Sequence, residues 1–186
     1  MFQLLKSIFT NKKVVLENFP NEVEIIENKP IREYFLTELR ENKFIKQESH
    51  EAVLKHLTHD VSLTKTGTIL TIEEKKALGL NTRLSITKEL LEVLTPEGMT
   101  LSNPKMLLEE IYNKATITKS KDDSFAKSIN AGIKKFTLHE PGDSSECYWC
   151  KNNFGIEHGP NLLQVIRENC ECKPYSKCFI SPIIEL

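Results

Sequence analysis

The chain of 186 residues has no long apolar run, no internal repeat, no low-complexity tract and no excess of charge of either sign, and each absence closes a class of function. Without a stretch of about eighteen apolar residues, no membrane span is expected. With 25 Lys plus Arg against 26 Asp plus Glu, the formal charge is −1, so no global field gathers nucleic acid or an anionic membrane surface. Glycine and proline are sparse, at seven and eight, which argues against a disordered composition. What is present, 39% hydrophobic and 27% charged residues, suits an ordinary globular chain: one sizeable domain, or a helical domain with a small module appended. The leading "MFQLLKSIFT" has a faint look of a targeting segment. Lys6 interrupts its apolar run and no small-residue cleavage site follows, so a classical secretion signal is not expected.

The first 130 residues read mainly as helices. Pro30 suits a first helical position, and Ile31, Tyr34, Phe35 and Leu39 fall on one face of a helix over about 30–44. Ser49 can cap a second helix bearing Ala52, Val53, His56 and Leu57. Thr71 with Glu74 forms a capping box for a short helix that stops at Gly79. Ile86, Leu90, Leu91 and Leu94 make a stripe ending before Pro96. Asn103 and Pro104 open the clearest helix, with Leu107, Leu108, Ile111, Tyr112 and Ala115 inward. "KSKDD" at 119–123 reads as a solvated loop, after which Asp122 or Asp123 caps a further helix ending at Gly132.

The pattern changes near residue 133. Phe136, Thr137 and Leu138 alternate as a short strand does, and "PGD" turns the chain. Pro160 can open a small helix with Leu162, Leu163, Val165 and Ile166 facing a core, and "CFISPIIEL" reads as an extended edge. The fold class expected is therefore mainly α: a helical domain over 1–118, then a small α+β, Cys-rich module over 119–186.

All five cysteines lie in that module. Cys147 and Cys150 bracket the only tryptophan, Trp149; after a gap of 19 residues come Cys170 and Cys172, then Cys178. A C-x-x-C turn places two sulfurs close enough to share one tetrahedral ion, and a second close pair can complete four ligands. Binding zinc this way gives a segment with a thin core the folding energy it otherwise lacks. Three other readings stay open. A disulfide framework wants an oxidising compartment and an even cysteine count. A redox dithiol wants its first cysteine at a helix N-terminus in a βαβ setting. Buried thiols can also be spaced by chance. Because C-x-C is tighter than the usual ligand spacing, His158 or Cys178 could replace one member of the second pair. His158 otherwise reads as a solvated turn residue, and Cys178 as a buried thiol.

"INAGIKKFTLHEPGDSSECYWCKNNFG", followed by "ENCECKP", resembles the C-terminal segment of phage head morphogenesis proteins, the Mu F-like minor head proteins. The matching positions are Ala131 and Gly132, the strand through Phe136 and Leu138, Asp143, Cys147, Cys150, Gly155, Asn169, Cys170 and Cys172, within about residues 113–173. Where that family commonly has His-Pro before its Asn-Cys, this chain has Arg167 and Glu168. The resemblance implies a minor head protein of phage or prophage assembly, cytoplasmic or virion-associated, with capsid or portal components as partners. The same module occurs on bacterial toxins, so an effector-like protein with an unrecognised activity is the alternative.

Catalytic readings find little support. A zinc deaminase needs His-x-Glu ahead of its cysteines, whereas His139 and Glu140 are adjacent. A nuclease needs histidines beside the knuckle, and only His139 and His158 are at hand. Residues 133–186 carry six Lys plus Arg against seven Asp plus Glu, which makes a nucleic-acid-binding regulator the weakest alternative. His56 and His59, three apart, read as a polar helix face. Tyr148 and Trp149 read as local cover for the cysteines. The expectation is a non-enzymatic module built on structural zinc at Cys147, Cys150, Cys170 and Cys172, working through protein contact.

Overall fold

The structure is a computed structural model that describes residues 29–142 and 146–184. The targeting-like decapeptide, Asp143 of the proposed resemblance and the last two residues of the tail lie outside the described residues.

Helix α1 (Ile31–Glu41) begins one residue later than expected, because Pro30 stands in extended backbone at the cap, not inside the helix. It buries Phe35 and Leu39. A 3-10 turn leads into α2 (His50–Leu57), whose inward face is Val53, Leu54 and Leu57; Ala52, expected inward, is exposed, and Ser49 at the cap makes no side-chain bond. Helix α3 (Ile72–Ala77) carries the predicted capping box in full: the Glu74 amide donates to Thr71 Oγ1 at 3.1 Å and the Thr71 amide to Glu74 Oε2 at 2.8 Å. Gly79 ends it with φ 68°, a left-handed conformation that costs glycine nothing. The stripe from Ile86 to Leu94 is buried as expected, but only Lys88–Glu92 of it is helix, α4, because Thr87 caps from within the stripe and Val93 ends it. Helix α5 (Pro96–Met99) is one turn capped by Thr95.

Helix α6 runs unbroken from Pro104 to Asn130, 27 residues. The loop expected at 119–123 is helix, and neither Asp122 nor Asp123 caps a new one. No Gly or Pro interrupts 105–131, so propensity allows the helix to continue. Lys119 and Asp123 form an i,i+4 pair at 2.6 Å along it. Asp122 turns inward, where it has partners on other elements.

Beyond α6 come β1 (Phe136–His139), α7 (Tyr148–Asn153), β2 (Glu157–His158), α8 (Leu162–Asn169) and β3 (Phe179–Pro182). The three strands form an antiparallel sheet of order β2-β1-β3, with Phe136 opposite His158 and Pro182, so the tail is an edge as expected. The molecule is thus rich in helix with a small α+β part at the C-terminal side. Two apolar clusters share α6: Leu107, Leu108, Ile111 and Ala115 belong to the first with α1, α2 and α4, and Phe125 to the second with the sheet, α7 and α8. The Phe125 and Phe136 rings meet at 4.3 Å between centroids. Between the clusters, Asp122 Oδ2 accepts the Tyr34 hydroxyl of α1 at 2.8 Å and the Arg167 guanidinium of α8 at 2.8 Å. Arg167, where the sequence departs from the family resemblance, is therefore one of the ties between α8 and α6.

Candidate metal centre

Each cysteine pair is delivered by a different backbone device. Cys147 occupies the extended cap position before α7 and Cys150 lies in its first turn, three residues on, so one helical turn brings both sulfurs to the same side. The segment after α7 is tied back to the sheet by Gly155, whose amide donates to the Leu138 carbonyl at 3.0 Å with φ 70°. Cys170 is the extended residue just past α8, held by its amide to the Ile166 carbonyl at 2.9 Å. Cys172 follows two residues on, outside any helix or strand, and brings its sulfur to the same group. The tight C-x-C pair thus leaves α8 on the extended residue Cys170, not within a helical knuckle.

The four sulfurs of Cys147, Cys150, Cys170 and Cys172 all lie within 4.8 Å of one another. Cys150 is 3.5 Å from Cys170 and 3.7 Å from Cys172, sulfur to sulfur. Four thiolates at ~2.3 Å from a tetrahedral ion stand ~3.8 Å apart, close to this arrangement. Two disulfides would instead pair the sulfurs at ~2.05 Å, and all five cysteines are free thiols. Backbone amides already point at sulfur: Cys147 N–H to Cys172 Sγ at 3.2 Å, and Glu171 N–H to Cys147 Sγ at 3.4 Å. The group can hold a metal ion.

Electrostatics divide the cluster. Burial pushes the Cys150 thiol up, and the neighbouring sulfurs of Cys170, Cys147 and Cys178 add to it. Burial likewise pushes Cys172 up to about 11. At Cys147 burial acts in the same direction, but the amides of Cys150 and Glu171 outweigh it and hold the thiol at about 7. Four ionised sulfurs here would be a dense, partly buried negative charge, which a divalent cation at their centre offsets.

The remaining site residues fall as follows. Cys178 is buried, as expected, with its sulfur against Cys150 but outside the group of four. His158 is no solvated turn residue: it is buried in β2, its Nε2 3.3 Å from the Asn153 carbonyl. Among the described residues it does not join the cluster either. Trp149 packs against the second apolar cluster as cover, whereas Tyr148 is 84% exposed and covers nothing. Cys147 does stand at a helix start, as a redox dithiol requires, but α7 follows an antiparallel strand and not a βαβ crossover.

His56 and His59 do not share a helix face. His59 lies beyond the end of α2 with φ 68° and its ring 5.7 Å from that of Tyr112, while His56 Nδ1 accepts the Leu63 amide at 3.3 Å and burial lowers its pKa. Both line a groove of about 850 Å³ between the 58–66 loop and α6. Sequence reasoning missed it, since the groove is made by a loop folding back on a helix some 50 residues away. Among the described residues no helix is long and apolar enough to cross a membrane. No protein-family model, no curated protein and no solved structure matches this chain.

Proposed function

We propose that the C-terminal part is a zinc-stabilised protein-interaction module without catalytic work of its own, and that the chain serves phage or prophage head assembly in the manner of a minor head protein. The observation that carries the first half is the convergence of the four sulfurs of Cys147, Cys150, Cys170 and Cys172 within 4.8 Å. An all-thiolate, tetrahedral donor set favours zinc among the common biological cations. Four protein ligands also fill the coordination sphere, leaving no position for water or substrate, which is the pattern of a structural site. Such a site suits a module whose buried cluster, among the described residues, holds eight side chains, two of them cysteines. Bound there, the ion supplies crosslinking and no reaction; the knuckle, the 170–172 segment and the amides on sulfur are the chain's own part.

The head-assembly half rests on the resemblance over residues 113–173. The order of elements agrees with it: a helix ending at Ala131 and Gly132, a strand, the knuckle with Gly155, then Asn169-Cys-x-Cys. Tyr148, at 84% exposed beside the knuckle, is the kind of aromatic that anchors a partner. The test is copurification of a tagged chain from cells producing phage heads. Capsid or portal components retained by the native chain and lost with Cys150→Ser support the reading. No head component in either sample contradicts it, and growth arrest on expression of the chain alone favours the effector reading instead.

A further inference from the structure

We propose that Lys121 is the countercation of the four-cysteine centre: its ammonium, carried on α6, offsets the net negative charge that four thiolates around a divalent ion bear. The proposal rests on the zinc reading above and adds a positioning residue that contributes no ligand atom.

Lys121 reaches the centre from outside the cysteine segment. Its ammonium donates to the carbonyl of Ser176 and, at 3.3 Å, to the Ser176 hydroxyl, in the loop joining Cys172 to Cys178. It lines a groove of about 320 Å³ together with Cys170 and Cys172, and a second cavity of about 190 Å³ together with Cys178. It therefore borders both the Cys170 and Cys172 side of the centre and the neighbouring Cys178.

Among the described residues, no carboxylate forms an ion pair with this ammonium, and its bonded oxygens are neutral. A part-buried ammonium with only neutral partners is costly. Four neutral thiols offer it nothing, whereas a loaded tetrathiolate centre offers a negative charge held in place by α7 and the chain after α8. The lysine is thus matched to the metal-bound state, and linkage requires that it strengthen metal binding by as much as the metal relieves it. Groups around a metal centre that are not ligands commonly change affinity ~10–100-fold.

The experiment uses the full chain with zinc and a chromophoric chelator in competition, comparing Lys121→Gln, Lys121→Arg and Lys127→Gln. Glutamine keeps a donor for Ser176 but no charge; arginine keeps the charge; Lys127 is exposed on the same helix and lines neither cavity. Expected are a ~10–100-fold loss of zinc affinity in K121Q, a loss under ~threefold in K121R, and none in K127Q. Far-UV circular dichroism checks that each variant is folded, and the thiolate-to-cobalt charge-transfer band of the Co²⁺ form should shift in K121Q alone. Zinc affinity in K121Q equal to the native chain's, or K121R falling as far as K121Q, overturns the countercation role while leaving the zinc site intact. A native chain that binds no zinc overturns the site itself.

Discussion

Replacing Asp122 with alanine should cost about 2 kcal/mol and loosen the tie between the two apolar clusters. Asp122 is 4% exposed, and its Oδ2 accepts from both Tyr34 and Arg167 at 2.8 Å. The bond from the tyrosine is worth ~1 kcal/mol. Breaking a fully buried ion pair costs ~3–5 kcal/mol. The Arg167 side chain, however, is 44% exposed and rehydrates when released, so only ~1 kcal/mol of that applies. The small void left behind adds ~1 kcal/mol. Against these stands relief: Asp122 Oδ1 is buried with no partner, and removing it recovers ~1 kcal/mol of desolvation. A loss of this size lowers the melting temperature by about 4–8 °C. The assay is urea denaturation followed by two probes. Trp149 is the chain's only tryptophan and packs against the second cluster, so its fluorescence reports the module, while far-UV circular dichroism reports mainly the first. Coincident transitions in the native chain should separate in D122A, with the fluorescence midpoint moving. A change below ~0.5 kcal/mol with coincident transitions would show that the Tyr34-Asp122-Arg167 link carries no structural weight.

The other expectations concern single positions. Gly98→Ala sets a methyl group against the Phe44 carbonyl, a backbone atom that cannot rotate away, and should destabilise by ~1–3 kcal/mol in thermal melts. The Tyr34 pKa is raised by burial first and then by its bond to Asp122, so the folded state favours the neutral phenol. That stability is complete below the ordinary value of ~10 and is lost as pH rises beyond it. Native protein should therefore show an alkaline loss of stability above pH ~10 that Tyr34→Phe removes. Cys147→Ser should abolish metal retention and unfold the module, whereas Cys178→Ser, buried beside the cluster but outside it, should keep both metal and fold; equal metal loss from the two would reassign the ligands.

The elements legible in the sequence are those whose cause lies within a few residues. Thr71 and Glu74 close a reciprocal pair of bonds with no outside help, and Leu107 to Ala115 repeat at helical spacing against a core wide enough to take them. The C-x-x-C pair was legible for the same reason, since one turn of helix sets its geometry. What the sequence hid was decided across the chain. Asp122 and Asp123 look like caps, and Lys119 to Asp123 like a loop, until Tyr34, 88 positions away, and Arg167, 45 away, give Asp122 a buried place inside a continuous helix. Lys121 was hidden by the same misreading. His158 looks like a turn residue because Gly159, Pro160 and Asn161 follow it directly, while pairing with Phe136 across the sheet buries it.

The most direct test is metal content with thiol titration on protein purified under reducing conditions without chelator. One zinc per chain, released in step with modification of four thiols, with the fifth unconnected to zinc release, is the predicted result. A chain without zinc that, denatured after removal of reductant, shows a single reactive thiol would mean two disulfides in place of one metal centre, and would contradict the account.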